Sequence, residues 1–222
     1  MTARICVSIL PKTVLEALRL IEKADFAHAD FIEVRLDFLK DHLENHRGLA
    51  DLAAHGKTPK IATDKESRKE TEQHQMLIAA AKSGFEYVDV ELSTPQLEDL
   101  VKELKALGAK PIVSFHKSDG SLGVSELNSV FEREISSGAE VCKIVTTAKQ
   151  IEDNLAILNF TSTASSKTKI VCFCMGELGK VSRLLSPLFG GFFTFASLER
   201  GSETASGQMT IQEMKATYEI LG

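Results

Sequence analysis

Eight short runs rich in β-branched and aromatic residues recur along the chain, each followed by a segment long enough for a helix. This alternation restricts the fold more than any other feature of the sequence. The runs are RICVSIL (4–10), FIEVRLDF (31–38), PKIATD (59–64), YVDVEL (87–92), KPIVSFH (110–116), VCKIVTT (141–147), KIVCFCM (169–175) and FFTFASL (192–198). Amphipathic stretches lie between them, among them 13–24, 74–84 and 95–108, and TIQEMKATYEIL (210–221) follows the last run. Gly84, Gly108 and Gly138 stand where helices are expected to stop. Eight strand-then-helix units predict an α/β fold closed into a (β/α)8 TIM barrel, a single domain over residues 1–222. A doubly wound open sheet is the structural alternative.

Composition narrows the class of function. The 222 residues are 43% hydrophobic, enough for one well-buried core. The net charge of −5 comes from 26 basic and 31 acidic residues without a basic run, so nucleic acid is not an expected partner. No apolar stretch approaches the roughly 20 residues that span a bilayer, and MTARICVSILPK reads as a short strand rather than a signal peptide. A soluble, cytoplasmic protein is expected, with no membrane association. Cys6, Cys142, Cys172 and Cys174 lie in apolar runs without metal-ligand spacing and read as reduced core residues. No metal or organic cofactor is expected.

Strand side chains alternate between faces. The second run therefore opposes Ile32, Val34, Leu36 and Phe38 to Glu33, Arg35 and Asp37, and the fourth opposes Val88, Val90 and Leu92 to Asp89 and Glu91. Helices cover the outside of a parallel barrel, so the charged faces must point into the lumen. Buried charges pair or serve a ligand. An internal salt-bridge network around Arg35 is one reading, and a polar active site at the C-terminal mouth is the other.

Lys143 shares its face with Val141 and Val145 in mid-strand, where burial disfavours the ammonium and is expected to lower its pKa toward a nucleophilic amine. The alternative is an ion pair with Glu91 or Asp89. His116 closes the fifth run, 27 residues earlier, about one strand–helix unit away, so both side chains can reach one lumen. An amine that forms imines beside an imidazole is the minimum equipment for removing a proton α to a carbonyl. The MGELG loop after the seventh run precedes a short helix carrying Arg183, a combination suited to an anion. The segment GSETASGQ after the last run is rich in hydroxyl and amide groups, either to close over a polyhydroxylated ligand or as a solvated loop.

Taken together these segments resemble the type I 3-dehydroquinate dehydratases over nearly the whole chain. The matching residues are Ser8 in ICVSI, Glu33-x-Arg35-x-Asp37, Asp89-x-Glu91, His116 in SFH, Lys143 in VCKIV, MGELGKVSR ending at Arg183, and TASGQ ending at Gln208. The resemblance implies a cofactor-free lyase in which Lys143 condenses with the C3 ketone of 3-dehydroquinate and His116 shuttles the proton. It also implies that Arg183 holds the substrate carboxylate, while Ser8, Glu33, Arg35 and Gln208 meet its hydroxyls, and that the protein is a homodimer. Asp89 and Glu91 support the catalytic pair.

Two departures from the family pattern stand out. After the third run the family has an arginine, an acidic residue and two glycines, where this chain reads IATDKESRKE. Lys65 takes the arginine's place, with Arg68 as the other candidate, and the acidic partner of His116 is left open. In the last loop the family's hydroxyl falls on Thr204 counted back from Gln208, or near Ser202 counted forward from Arg183. A class I Schiff-base aldolase and a catalytically silent binding barrel are the rival functions.

Overall fold

The computed structural model describes residues 3–39, 47–65 and 70–222. Its strands are β1 (Ile5–Ile9), β2 (Phe31–Arg35), β3 (Lys60–Thr63), β4 (Tyr87–Glu91), β5 (Lys110–His116), β6 (Val141–Thr147), β7 (Lys169–Met175) and β8 (Thr194–Ser197). The helices are α1 (Val14–Phe26), α2 (Arg47–Ala54), α3 (Glu70–Lys82), α4 (Leu97–Ala106), α5 (Val124–Ser136), α6 (Asp153–Ala164), α7 (Lys180–Leu185) and α8 (Ile211–Leu221). All neighbouring strands are parallel, and their order is β7-β6-β5-β4-β3-β2-β1-β8. Sequential order with β8 beside β1 wraps the sheet round on itself. An open doubly wound sheet would instead reverse direction at a switch point, so that alternative is excluded. At the seam, β7 and β8 meet where Phe192 N–H donates to Ile170 O at 2.7 Å.

Local chemistry sets the helix limits. The Thr13 hydroxyl accepts the Glu16 N–H at the start of α1, and Thr210 and Glu213 cap α8 reciprocally. Gly84, Gly108 and Gly138 follow α3, α4 and α5 with φ of +100°, +86° and +88°, the left-handed turn that ends a helix.

Alternation divides the strands' side chains between two cores. Val7, Ile32, Val34, Val88, Val90 and Ile144 face the helices. Phe31, Ile61, Tyr87, Ile112, Phe193 and Phe195 fill the lumen, where the Phe31 ring lies 4.8 Å from Phe193 and 5.6 Å from Tyr87. The four cysteines are free and buried. This aromatic plug makes the lumen a floor rather than a channel, and polar side chains stand above it at the strands' C-terminal ends.

The second strand is shorter than its alternating pattern suggests. β2 ends at Arg35, and Leu36–Phe38 turn as a 3-10 helix at the rim, leaving Phe38 exposed rather than on an apolar strand face. The turn brings Asp37 back to Arg35, which donates to it twice, at 2.9 and 2.6 Å.

Candidate active site

Register places the inward polar residues of neighbouring strands level with one another: Ser8 pairs with Glu33, Thr63 with Asp89, and Ser114 with Lys143. Lys143 Nζ donates to Asp89 Oδ2 at 2.7 Å, lies 3.7 Å from Glu33 Oε1, and sits 4.6 Å from the centre of the Phe195 ring. The carboxylates are themselves held. Ser8 and Thr63 donate to Glu33 at 2.5 and 2.9 Å, and Ser114 donates to Asp89 at 2.7 Å. All six of these polar residues are buried.

This surround reverses the expected protonation of Lys143. Burial alone pushes the ammonium's pKa down, but the charges of Asp89 and Glu33 outweigh it and hold the pKa well above the ordinary value. Asp89 in turn is held well below the usual carboxylate range, because Lys143 and Lys65 overcome the effect of burial. The contact has the geometry of the ion pair in the alternative reading of Lys143.

Above this layer, Glu91 is the carboxylate beside His116 among the described residues. Nδ1 lies 3.0 Å from Glu91 Oε1, and Lys65 Nζ reaches the same oxygen. Lys65 also lies 3.3 and 3.5 Å from the two imidazole nitrogens and 3.5 Å from Asp89 Oδ1. Gln73 of α3 fixes the backbone beneath this lysine by donating to the carbonyls of Asp64 and Lys65. Arg68 lies outside the described residues. Burial and the Lys65 charge pull the His116 pKa below its ordinary value despite Glu91, which favours a neutral imidazole.

Arg183, on α7, is 1% exposed, and its guanidinium packs 4.4 Å from the Phe173 ring. Neither Nε nor Nη2 has a hydrogen-bond partner among the described residues, and burial lowers its pKa to about 10. In the glycine loop before it, Gly176 N–H donates to Ser206 O and Gly179 N–H to Gly176 O, so these two amides are already used.

The loop after β8 completes the cavity. Gln208 Oε1 accepts the Thr204 N–H at 2.7 Å, while its Nε2 has no partner among the described residues. The Ser202 hydroxyl is spent on Glu199, leaving Thr204 as the hydroxyl that lines the site. Gly207, at φ +75°, lies against the Gly176 carbonyl so closely that a Cβ would come within 2.1 Å of its oxygen.

One cavity of about 640 Å³ is lined by Ser8, Glu33, Arg35, Lys65, Glu91, His116, Lys143, Arg183, Thr204 and Gln208, so nearly the whole sequence-derived set meets in one place. Asp89 supports from beneath. Sequence reasoning missed Thr63, Ser114, Gln73 and Phe195. The first two follow from the parity that exposes Asp89 and Lys143, whereas Gln73 sits in a helix and carries no local signal. No cluster able to hold a metal occurs among the described residues.

Fold and site together define a (β/α)8 barrel with a charged acid–base cluster at its C-terminal mouth. The type I 3-dehydroquinase family model matches residues 5–222. A protein of Dehalococcoides mccartyi (strain ATCC BAA-2100 / JCM 16839 / KCTC 5957 / BAV1) named 3-dehydroquinate dehydratase is 38% identical over 197 residues, covering 86% of this chain and 85% of that protein. One of the same name from Methanococcus maripaludis (strain C6 / ATCC BAA-1332) is 31% identical, covering 98% of this chain and 99% of that one. The crystal structure of 3-dehydroquinate dehydratase from Geobacillus kaustophilus HTA426 superimposes with a TM-score of 0.90 at 26% identity, covering 100% of this chain and 91% of that one. This chain belongs to the type I 3-dehydroquinase family.

Proposed function

We propose that the chain is a hydro-lyase converting 3-dehydroquinate to 3-dehydroshikimate in the shikimate pathway, through an imine on Lys143, as a single catalytic domain. The carrying observation is the buried guanidinium of Arg183, whose Nε and Nη2 have no hydrogen-bond partner among the described residues, in the same cavity as Lys143 and His116. That arrangement asks for a ketone that also bears a carboxylate.

Lys143 enters as an ammonium. One proton passes to a neighbouring carboxylate as the amine attacks the C3 ketone, a second moves from the nitrogen to the ketone oxygen, and both leave with that oxygen as water. The protonated imine then occupies the place of the ammonium with the same charge, so Asp89 and Glu33 stabilise both states. The imine draws electrons from C2, and neutral His116, oriented by Glu91, takes the C2 proton. The enamine expels the C1 hydroxyl with a proton from His116, and hydrolysis frees the product. Arg183 holds the carboxylate, while Ser8, Glu33, Arg35, Lys65, Thr204 and Gln208 meet the hydroxyls. The chemistry needs no metal or organic cofactor.

The enzyme works in the cytoplasm as a homodimer in this reading. Exposed Ile151, Leu155, Leu178, Val181, Leu188 and Phe189, on and around the packed α6 and α7, support association. Among the described residues no helix is long and apolar enough to cross a membrane.

The test is intact-mass spectrometry after incubation with 3-dehydroquinate and borohydride, with peptide mapping. An adduct on Lys143, absent from Lys143→Ala, is expected. No adduct together with no 3-dehydroshikimate would sink the reading.

A further inference from the structure

We infer that Lys65 is a positioning residue for the acid–base step, separating the orientation of His116 from its basicity by claiming the same carboxylate that holds the imidazole. The inference rests on the dehydratase reading only for the direction in which the proton moves. The Glu91 carboxylate faces both groups: His116 Nδ1 lies 3.0 Å from Oε1 and within hydrogen-bond reach of Oε2 at 3.4 Å, and the Lys65 ammonium reaches Oε1. A carboxylate facing an imidazole alone does two things: it fixes the ring and tautomer, and it stabilises the imidazolium. An ammonium on the same carboxylate leaves the first effect in place and offsets the second, since the carboxylate's charge is already met.

The surrounding charges point the same way. Facing His116 are Glu91 and Asp89 from β4, Lys65 after β3 and Lys143 from β6, with Ser114 on its own strand. Lys117, next in sequence, is engaged with Asp119 at 3.0 Å. Among the described residues, two ammonium groups and two carboxylates thus surround one ring, and Lys65 lies 3.3 and 3.5 Å from its two nitrogens. Protonating the ring would add a third cation to this group. Gln73 holds the backbone that carries Lys65 in place, so the contact is built into the fold beneath it.

The experiment is an NMR titration of the His116 ring in the ligand-free protein, for wild type, Lys65→Met, Lys65→Gln and Lys65→Arg, beside the pH profile of kcat/KM. Both neutral variants are expected to raise the His116 midpoint by about one unit, with the acid limb of kcat/KM moving up alongside it, and arginine to keep both near wild type. A larger KM with an unmoved His116 midpoint in both neutral variants would make Lys65 a ligand contact only and overturn the inference. Because the titration needs no substrate, failure to trap an imine on Lys143 would strike the dehydratase reading and leave this measurement to decide the role of Lys65.

Discussion

Lys143 on β6 and Asp89 on β4 meet at 2.7 Å across the intervening strand β5, and this contact sets the charge of the buried amine. Asp89→Asn removes the largest of the charges that hold the amine protonated, leaving Glu33 and Glu91. The pH at which Lys143 becomes half-reactive toward reductive methylation, read by peptide mass mapping, is expected to fall by about one to three units. Turnover should drop all the same, by about 100-fold, because the imine loses the same counter-charge. An unmoved reactivity profile would show that Asp89 does not set the proton affinity of Lys143.

In the proposed reading, Arg183 couples stability to ligand recognition in opposite senses. A buried guanidinium whose Nε and Nη2 lack a partner among the described residues is costly, and replacing such a charge with an apolar residue of similar length is commonly neutral or stabilising. Arg183→Met is expected to raise the thermal midpoint by about 2–4 °C, the effect of ~1 kcal/mol in a domain of this size. The same variant should lose about 100-fold in substrate affinity and nearly all ligand-induced thermal shift. Differential scanning fluorimetry with and without product measures both, and full retention of the shift would remove Arg183 from carboxylate binding.

Glu134 on α5 is 0% exposed, with the Cys142 thiol and the Lys143 backbone N–H beside its carboxyl group. Burial pushes its pKa well above the ordinary 4.5, with the nearby Cys142 thiol offsetting part of that rise. The folded state keeps a proton that the unfolded chain releases, so this group favours folding below about pH 4.5 and opposes it increasingly above. Glu134→Gln should leave the urea midpoint near wild type at pH 4 and raise it at pH 7. A constant difference at both values would show that Glu134 does not titrate anomalously.

The apolar side chains on α6 and α7 give the oligomer its test. Leu155 is 62% exposed, and Val181 also faces solvent. Light scattering after size exclusion is expected to give a dimer for wild type and a monomer for Leu155→Lys/Val181→Lys, with the imine adduct still formed. A dimer that survives the double substitution would move the interface elsewhere.

The sequence carried the strands and the inward residues because both depend on short periods: β5, β6 and β7 occupy the runs read from alternation, and Lys143 and His116 face inward as parity requires. What stayed hidden depends on register between distant segments. The proton affinity of Lys143 is set by Asp89, 54 residues earlier, and the carboxylate beside His116 among the described residues is Glu91, 25 residues earlier. Local pattern also cannot show that a loop amide is already occupied, as at Gly176 and Gly179, or where a rim ends a strand, as at Arg35. Thr204 and Ser202 were separable only once the Ser202 hydroxyl was seen to bond Glu199.

Gly207 offers a caution for anyone scoring variants of this protein by growth. It presses on the Gly176 carbonyl between the segments that carry Arg183 and Gln208, touches no reacting atom, and has no space for a methyl group. Any substitution there is expected to push apart the segments that carry Arg183 and Gln208 while the eight-stranded frame stays intact. In a complementation screen such a change would score like loss of the lysine itself, so a glycine with no chemistry of its own would be ranked among the residues that perform the reaction.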